Sequence, residues 1–257
     1  MHKKIVLCAF LGLSLFMGAS SALANSTSDT LAMLTQRMAK AACFLGTFSE
    51  PEKYRTILLE SQGQFAQKLQ HLEETAPTPI IKLALRKLKP DWANLHFASS
   101  ILADMPAYPG LDVNMIADFN LPLLAHSKNL SELYNSNTNV QKNASRLSLL
   151  SQKAAKEFCL VSYGFNPAQN RKYLSASIRE FDQILKQMGA QESLDKADIQ
   201  AQLKRIKTSW KGNKGVMTAI ASFMRARTSD FNVVSSTNEN VLSQCRKLED
   251  LIAQNTL

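Results

Sequence analysis

The decapeptide LTQRMAKAAC, Leu34 to Cys43, returns as LSQKAAKEFC, Leu150 to Cys159, 116 residues further along the chain. Five of the ten positions are identical, and Thr/Ser and Arg/Lys exchanges account for two more. A chain that spells one segment twice has to bury the same face twice, and building one unit in two copies does so most directly. The correspondence continues beyond the motif. At the same spacing Pro51 falls on Pro167, Arg55 on Arg171, Leu58 on Leu174, Phe65 on Phe181 and Leu69 on Leu185. Two residues out of step, LRKLKPDW (Leu85 to Trp92) falls on LKRIKTSW (Leu203 to Trp210), which pairs the only two tryptophans of the chain. The DFN triplets at Asp118–Asn120 and Asp230–Asn232 are aligned as a fourth block, with Leu130 on Leu242 and Leu133 on Cys245.

Each copy has the pattern of four helices. Apolar residues recur at steps of three and four in Leu31, Leu34, Met38, Ala42 and Leu45, and again in Leu147, Leu150, Ala154 and Val161. The second helix of each copy starts at Pro51 or Pro167, because proline fits the first helical turn. Tyr54, Ile57, Leu58, Phe65, Leu69 and Leu72 then form one stripe, and Leu174, Ile178, Phe181, Leu185 and Met188 form its counterpart. Ile81, Leu85, Leu88, Trp92 and Leu95 mark the third helix, matched by Ile199, Leu203, Ile206 and Trp210. Gly and Pro are scarce, 9 and 8 of 257 residues, and no alternating strand pattern competes. The clearest turn is MPAYPGLD, Met105 to Asp112, while Gly164 and Gly189 mark further helix ends. From Leu123 to Tyr163 there is neither Gly nor Pro, which predicts one helix of about 40 residues, about 60 Å long at 1.5 Å per residue. Its weak point is the polar run Asn135 to Asn143. The expected fold is all-α: two tandem antiparallel four-helix bundles, over 25–135 and 136–257, stacked end to end on that shared central helix.

Lys3 and Lys4, the apolar run after them and the small residues Ala22 and Ala24 read as a secretory signal peptide over 1–24, cleaved after Ala24. Its apolar core of about 15 residues is short of the roughly 20 that a membrane span needs. The expected mature chain is therefore exported to the periplasm. Formal charge is +9, or +7 without Lys3 and Lys4, and it is spread along the helices rather than clustered. That distribution fits a solvated surface or attraction of small anions and excludes nucleic acid as a partner. Cys43, Cys159 and Cys245 follow the leader; their odd number leaves at least one thiol unpaired in a monomer. Their pairing stays open, and burial as small apolar groups is the favoured reading.

The stretch NASRLSLLSQKAAKEFCL, Asn143 to Leu160, resembles a signature of the form Asn-x-Ala-Gly-Arg-Gln-Arg-Met-Leu-Ser-Gln-Arg. That signature belongs to the sensory domain of type IV pilus chemotaxis transducers and nitrate/nitrite sensor kinases (PilJ/NarX-type). MLTQRMAK, Met33 to Lys40, matches its end more closely. The resemblance covers both copies and implies helical periplasmic bundles whose motif helix lines an anion site. Carried over by position, Arg146 matches the first signature arginine, Ser148 stands where the second would be, and Lys153 takes the place of the last. In the first copy Thr30 and Ala32 replace the first two and Arg37 keeps the third. Lysine cannot reproduce the bidentate grip of arginine on a planar oxyanion, so nitrate specificity does not carry over. Transducers place this domain between two membrane spans ahead of a signalling module. No such span or module is expected here, so a signal would pass to another protein.

Gln36, Lys40 and Cys43 share one helix face, and Gln152, Lys156 and Cys159 repeat it. Read functionally, the stripe is a polar seam facing a ligand. The favoured alternative is a flank on which Lys snorkels to water, Gln caps a neighbouring backbone and Cys fills a gap. The candidate ligand-binding residues are Gln36, Arg37, Lys40, Arg146, Gln152, Lys153 and Lys156. His71, His96 and His126 are scattered, which gives no metal site. Without a nucleophile elbow, P-loop or HExxH, neither an enzyme nor a cofactor is expected. The expected role is a periplasmic sensory or ligand-binding module taking a small anion or polar molecule. Its partner would be a membrane receptor or pilus-associated protein, with a homodimer as the oligomeric candidate. The alternative is a scaffold that docks a pilus, envelope or receptor component without a small ligand.

Overall fold

A computed structural model of the chain describes residues 13–46, 50–104, 109–134 and 138–255, with side chains from Thr27 in the first helix and from Val113 in the fourth. The described residues form eight α-helices and no strand. They are α1 (Leu13–Gly46), α2 (Pro51–Thr75), α3 (Pro79–Asp104), α4 (Pro109–Leu133), α5 (Asn139–Ser162), α6 (Pro167–Gly189), α7 (Ala197–Ala221) and α8 (Thr228–Asn255). A single 3-10 turn, Glu192–Leu194, lies between α6 and α7. The all-α class read from the periodicity is what the chain adopts. Residues 1–12 of the leader expected over 1–24 fall outside the described residues, as do the domain boundary at 135/136 and the first half of the Met105–Asp112 turn; 13–24 are the first turns of α1. Among the described residues no helix is long and apolar enough to cross a membrane.

Local sequence accounts for the helix boundaries. Pro51 and Pro167 open α2 and α6 as expected, and the residue before each is left-handed: Glu50 at φ 52° and Asn166 at φ 41°. α5 ends in a Schellman motif. There Gly164, at φ 80°, donates its N–H to the Val161 carbonyl at 3.0 Å, and Phe165 donates to Leu160 at 2.9 Å. A residue with a Cβ would be strained at that φ.

The helix expected to run unbroken from Leu123 to Tyr163 is two helices. α4 closes at Leu133, and Thr138 caps α5 with a capping box: the Gln141 N–H donates to Thr138 Oγ1 at 3.3 Å, and the Thr138 N–H donates to Gln141 Oε1 at 2.9 Å. The reciprocal cap satisfies donors that a continuous helix would pair internally, so the chain can turn there. The shared central helix expected between the two copies is therefore overturned. α1 packs on α2, α4 and α5, and α5 on α6, α8 and α1, while α3 lies on α4 and α2, and α7 on α8 and α6. These contacts are compatible with two four-helix units set side by side along α1 and α5.

Along their motif segments α1 and α5 are buried on nearly every face, as helices packed on several others must be. From Leu31 to Leu45 and from Leu147 to Val161 every residue but Lys153 is buried. The buried apolar residues of both halves form one continuous cluster. A disulfide joins Cys43 of α1 to Cys159 of α5, with Cα atoms 6.2 Å apart, inside the usual span for such a bridge. For these two residues the reading as buried thiols is overturned; among the described residues Cys245 is the free thiol, and it is buried.

The two tryptophans sit in matching surroundings. Trp92 stacks on Phe65 with ring centroids 4.3 Å apart, and Trp210 stacks on Phe181 at 4.1 Å. The register of the last helix differs from the expected one. Asn120 of α4 and Asn238 of α8 make the same bonds in the two halves, so Asn120 answers to Asn238 rather than to Asn232. In that register Leu242 answers to Leu124 and Cys245 to Ser127, all four buried. The DFN letters mislead because they do different work. Phe231 packs edge-on against Phe44 and Phe158, while Asp230 accepts the Arg227 N–H at the start of α8.

Candidate functional site

The polar face of the repeated motif comes together with its copy where α1 and α5 meet. Gln36 Nε2 donates to Asn120 Oδ1 at 3.0 Å, and Asn120 Nδ2 donates to the Thr35 carbonyl at 2.8 Å. In the second half Gln152 Nε2 donates to Asn238 Oδ1 at 3.0 Å, and Asn238 Nδ2 donates to the Ser151 carbonyl at 3.0 Å. The lysines cross between halves: Lys40 Nζ donates to Asn238 Oδ1 at 3.1 Å, and Lys156 Nζ to Asn120 Oδ1 at 3.3 Å. The result is a pseudo-twofold seam of six polar side chains, none more than 5 % exposed. The Cys43–Cys159 bridge sits one turn beyond the lysines on the same face.

The favoured alternative from the sequence, lysines snorkelling to water on a helix flank, does not hold: Lys40 is 1 % and Lys156 5 % exposed. With helices on all sides their stems have no route to solvent. Gln36, Lys40, Gln152 and Lys156 are thus drawn into one cluster. The other three candidates lie around it. Arg37 donates through Nη2 and Nε to Glu239 Oε2 at 2.7 and 3.1 Å and through Nη1 to Ser61 Oγ at 3.3 Å. Lys153 donates to Ser177 Oγ at 2.9 Å and pairs with Glu157 Oε1 at 2.8 Å. Arg146 is half-buried outside the seam, its Nε donating to Glu180 Oε1 at 2.7 Å. Ser148, in the place of a signature arginine, donates to Glu249.

The seam is symmetric in its amides and asymmetric in its charge. Lys40 pairs with the Glu239 carboxylate, which Arg37 also holds. Burial pushes Glu239 upward, but the Lys40 and Arg37 charges and their hydrogen bonds outweigh it and hold the acid at about 2. In the register set by Asn120 and Asn238, the first-half position of Glu239 is Leu121, which is exposed. Among the described residues Lys156 therefore has no carboxylate in ion-pair range. Its neighbour Glu157 is taken by Lys153 and by a 2.7 Å hydrogen bond from Ser177. Burial lowers Lys156 to about 8, a fall that Glu157 partly offsets. Burial also lowers Lys40, against the pull of Glu239. Gln36 Oε1 and Gln152 Oε1 are both buried and meet no donor among the described residues. Each is a carbonyl oxygen taken out of water without a hydrogen bond, a costly arrangement.

The residues that pattern reading missed are the partners of the motif. Asn120 enters the sequence reading only within DFN, and Asn238 and Glu239 do not enter it; Glu249, which beside Asp250 reads as a solvated helix face, is instead half-buried and accepts from Ser148. The available signal was that the first motif helix is nearly free of charge, with Arg37 and Lys40 the only charged residues between Thr30 and Gly46. Such helices lie inside, and a charge inside requires a partner. Fold and seam together define an all-α protein whose two copies of one motif helix face each other across a buried polar cluster. No family model, curated protein or solved structure matches the chain.

Proposed function

We infer that the chain is an exported sensory or ligand-binding module, akin in plan to the PilJ/NarX-type sensory domains its motif resembles, with the α1–α5 seam as its binding site. The observation that carries this reading is Lys156. Its ammonium is buried, and its only hydrogen bond among the described residues goes to the Asn120 amide oxygen at 3.3 Å, whereas Lys40 on the matching turn has a carboxylate. A small anion beside Lys156 would do there what Glu239 does for Lys40. The two donor-less Gln oxygens favour a ligand that also carries N–H or O–H groups. Amino acids and hydroxycarboxylates fit that pair of demands better than nitrate, which has no donor. Binding would act by favouring one packing of α1 against α5 over another, and only to the extent that affinity differs between the two. The signal would then pass to a membrane receptor or pilus-associated partner.

Melting the oxidised protein against amino acids, hydroxycarboxylates, dicarboxylates, nitrate and nitrite tests this reading. A ligand at about 100 times its dissociation constant should stabilise the fold by about 2.7 kcal/mol, and Lys156→Met should abolish that gain. A silent panel, or a gain that survives Lys156→Met, contradicts it. The scaffold reading would then stand, in line with the half of the seam that Glu239 already neutralises.

A further inference from the structure

A groove of about 840 Å³ lies between α6 and α7, well away from the seam. Leu185, Leu203 and Trp210 form its floor. Its rim is basic: Lys204, Lys207, Lys211 and Lys214 follow one another at helical spacing along α7, and Lys186 faces them from α6. Asp182 is the only acid in the lining, and it is engaged by Trp210 Nε1 at 3.0 Å and by Lys214 at 2.7 Å. Lys186, Lys204, Lys207 and Lys211 are exposed, with no carboxylate in ion-pair range among the described residues.

The first half shows what this place looks like when it is neutralised. The spacing that stacks each Trp on its Phe puts Lys89 on Lys207 and Glu73 on Gly189. Lys89 pairs with Glu73 at 2.9 Å. In the second half that acid is gone and the lysine remains, as Ala190 likewise stands in the place of Glu74. From Lys204 to Lys214 the row covers about 15 Å of helix at 1.5 Å per residue. A ligand with one carboxylate would meet one lysine and leave the others unpaired. A bare polyanion would have no use for the apolar floor or for the lysine stems that line the walls. A third helix laid along two others, acidic on one edge and apolar on the other, meets both conditions.

We propose that the α6–α7 groove docks an acidic amphipathic helix of a protein partner, whose carboxylates pair with Lys204, Lys207 and Lys211 and whose apolar edge rests on Leu185 and Leu203. This is a different surface from the seam, and it stands or falls separately from ligand binding there. The test is selection from a displayed library of helical peptides with fixed apolar positions at helical spacing and all other positions randomised, run against the whole oxidised chain. Enriched peptides are expected to carry Glu and Asp on the edge beside the apolar stripe and to change Trp210 emission in a Trp92→Phe background. Their affinity should fall at least tenfold on Lys204→Glu/Lys207→Glu and return when the facing peptide acids are changed to Lys. No enrichment, enrichment without acidic bias, affinity unmoved by the double substitution, or equal binding of polyglutamate would overturn the proposal.

Discussion

Lys40 and Lys156 occupy matching turns of α1 and α5, and the difference between them is one carboxylate. Removing Lys40 strands Glu239 in a partly buried position with Arg37 as its remaining cation, whereas removing Lys156 takes away a buried charge with no acid in ion-pair range among the described residues. Breaking a buried pair by removing one partner costs about 3–5 kcal/mol because it leaves an uncompensated charge, while deleting a buried charge that has no paired acid relieves its desolvation cost. Urea unfolding at pH 7 should therefore show Lys40→Met losing about 3 kcal/mol, the low end because Arg37 stays, and Lys156→Met losing nothing. Equal losses would mean that the two sites are electrostatically alike. Glu249 belongs to the same scale. Burial raises its carboxyl to about 7, against the pull of the Ser148 hydrogen bond, and the unfolded value is about 4.3. Between those two pH values the folded chain holds a proton that the unfolded chain lacks, so this group's contribution falls as pH rises from about 4.3 to 7. Glu249→Gln keeps a neutral, hydrogen-bonding side chain there and should flatten that slope in unfolding measured across the window; an unchanged slope would place the proton elsewhere.

Among the elements, α1 and α5 carry the most. The Cys43–Cys159 bridge ties them across a separation of 116 residues, a loop long enough for the unfolded chain to lose about 4–5 kcal/mol of entropy in the loop-closure account. Cys43→Ser/Cys159→Ser should lower stability by about 2–5 kcal/mol in denaturant, with helical circular dichroism retained because the seam still joins the two helices. Loss of the helical signal would mean that the bridge alone holds them together. How far each element was legible followed from the kind of signal it left. The prolines that open α2 and α6 and the matching of Trp92 with Trp210 and Phe65 with Phe181 were visible because proline and large aromatics tolerate few positions; that each Trp stacks on its Phe was not. The break between α4 and α5 was written as Thr138 to Gln141, a capping box inside a polar run whose lack of Gly and Pro argued for continuity. The register of α8 was hidden because its identical letters, DFN, serve different contacts, whereas the shared feature is one Asn that bonds a backbone carbonyl of the motif helix.

For the whole molecule, the duplication was readable and its geometry was not. Periodicity tells how wide a helix's buried face is, but not which other helix covers it. The burial of Ala32, Ala39, Ala41 and Ala155 between the main stripes is what marks α1 and α5 as central, and small residues leave that mark weakly in a sequence. Once central, the two helices make the halves share one core, and the halves should then unfold together. The chain carries one tryptophan in each half, Trp92 on α3 and Trp210 on α7, which allows the point to be checked directly. Urea titration of the oxidised Trp92→Phe and Trp210→Phe variants, following the remaining tryptophan and the far-ultraviolet circular dichroism of each, should give coincident midpoints within each variant. A tryptophan transition clearly separated from the circular dichroism transition would show two independently folding bundles, and would contradict a single body joined along α1 and α5.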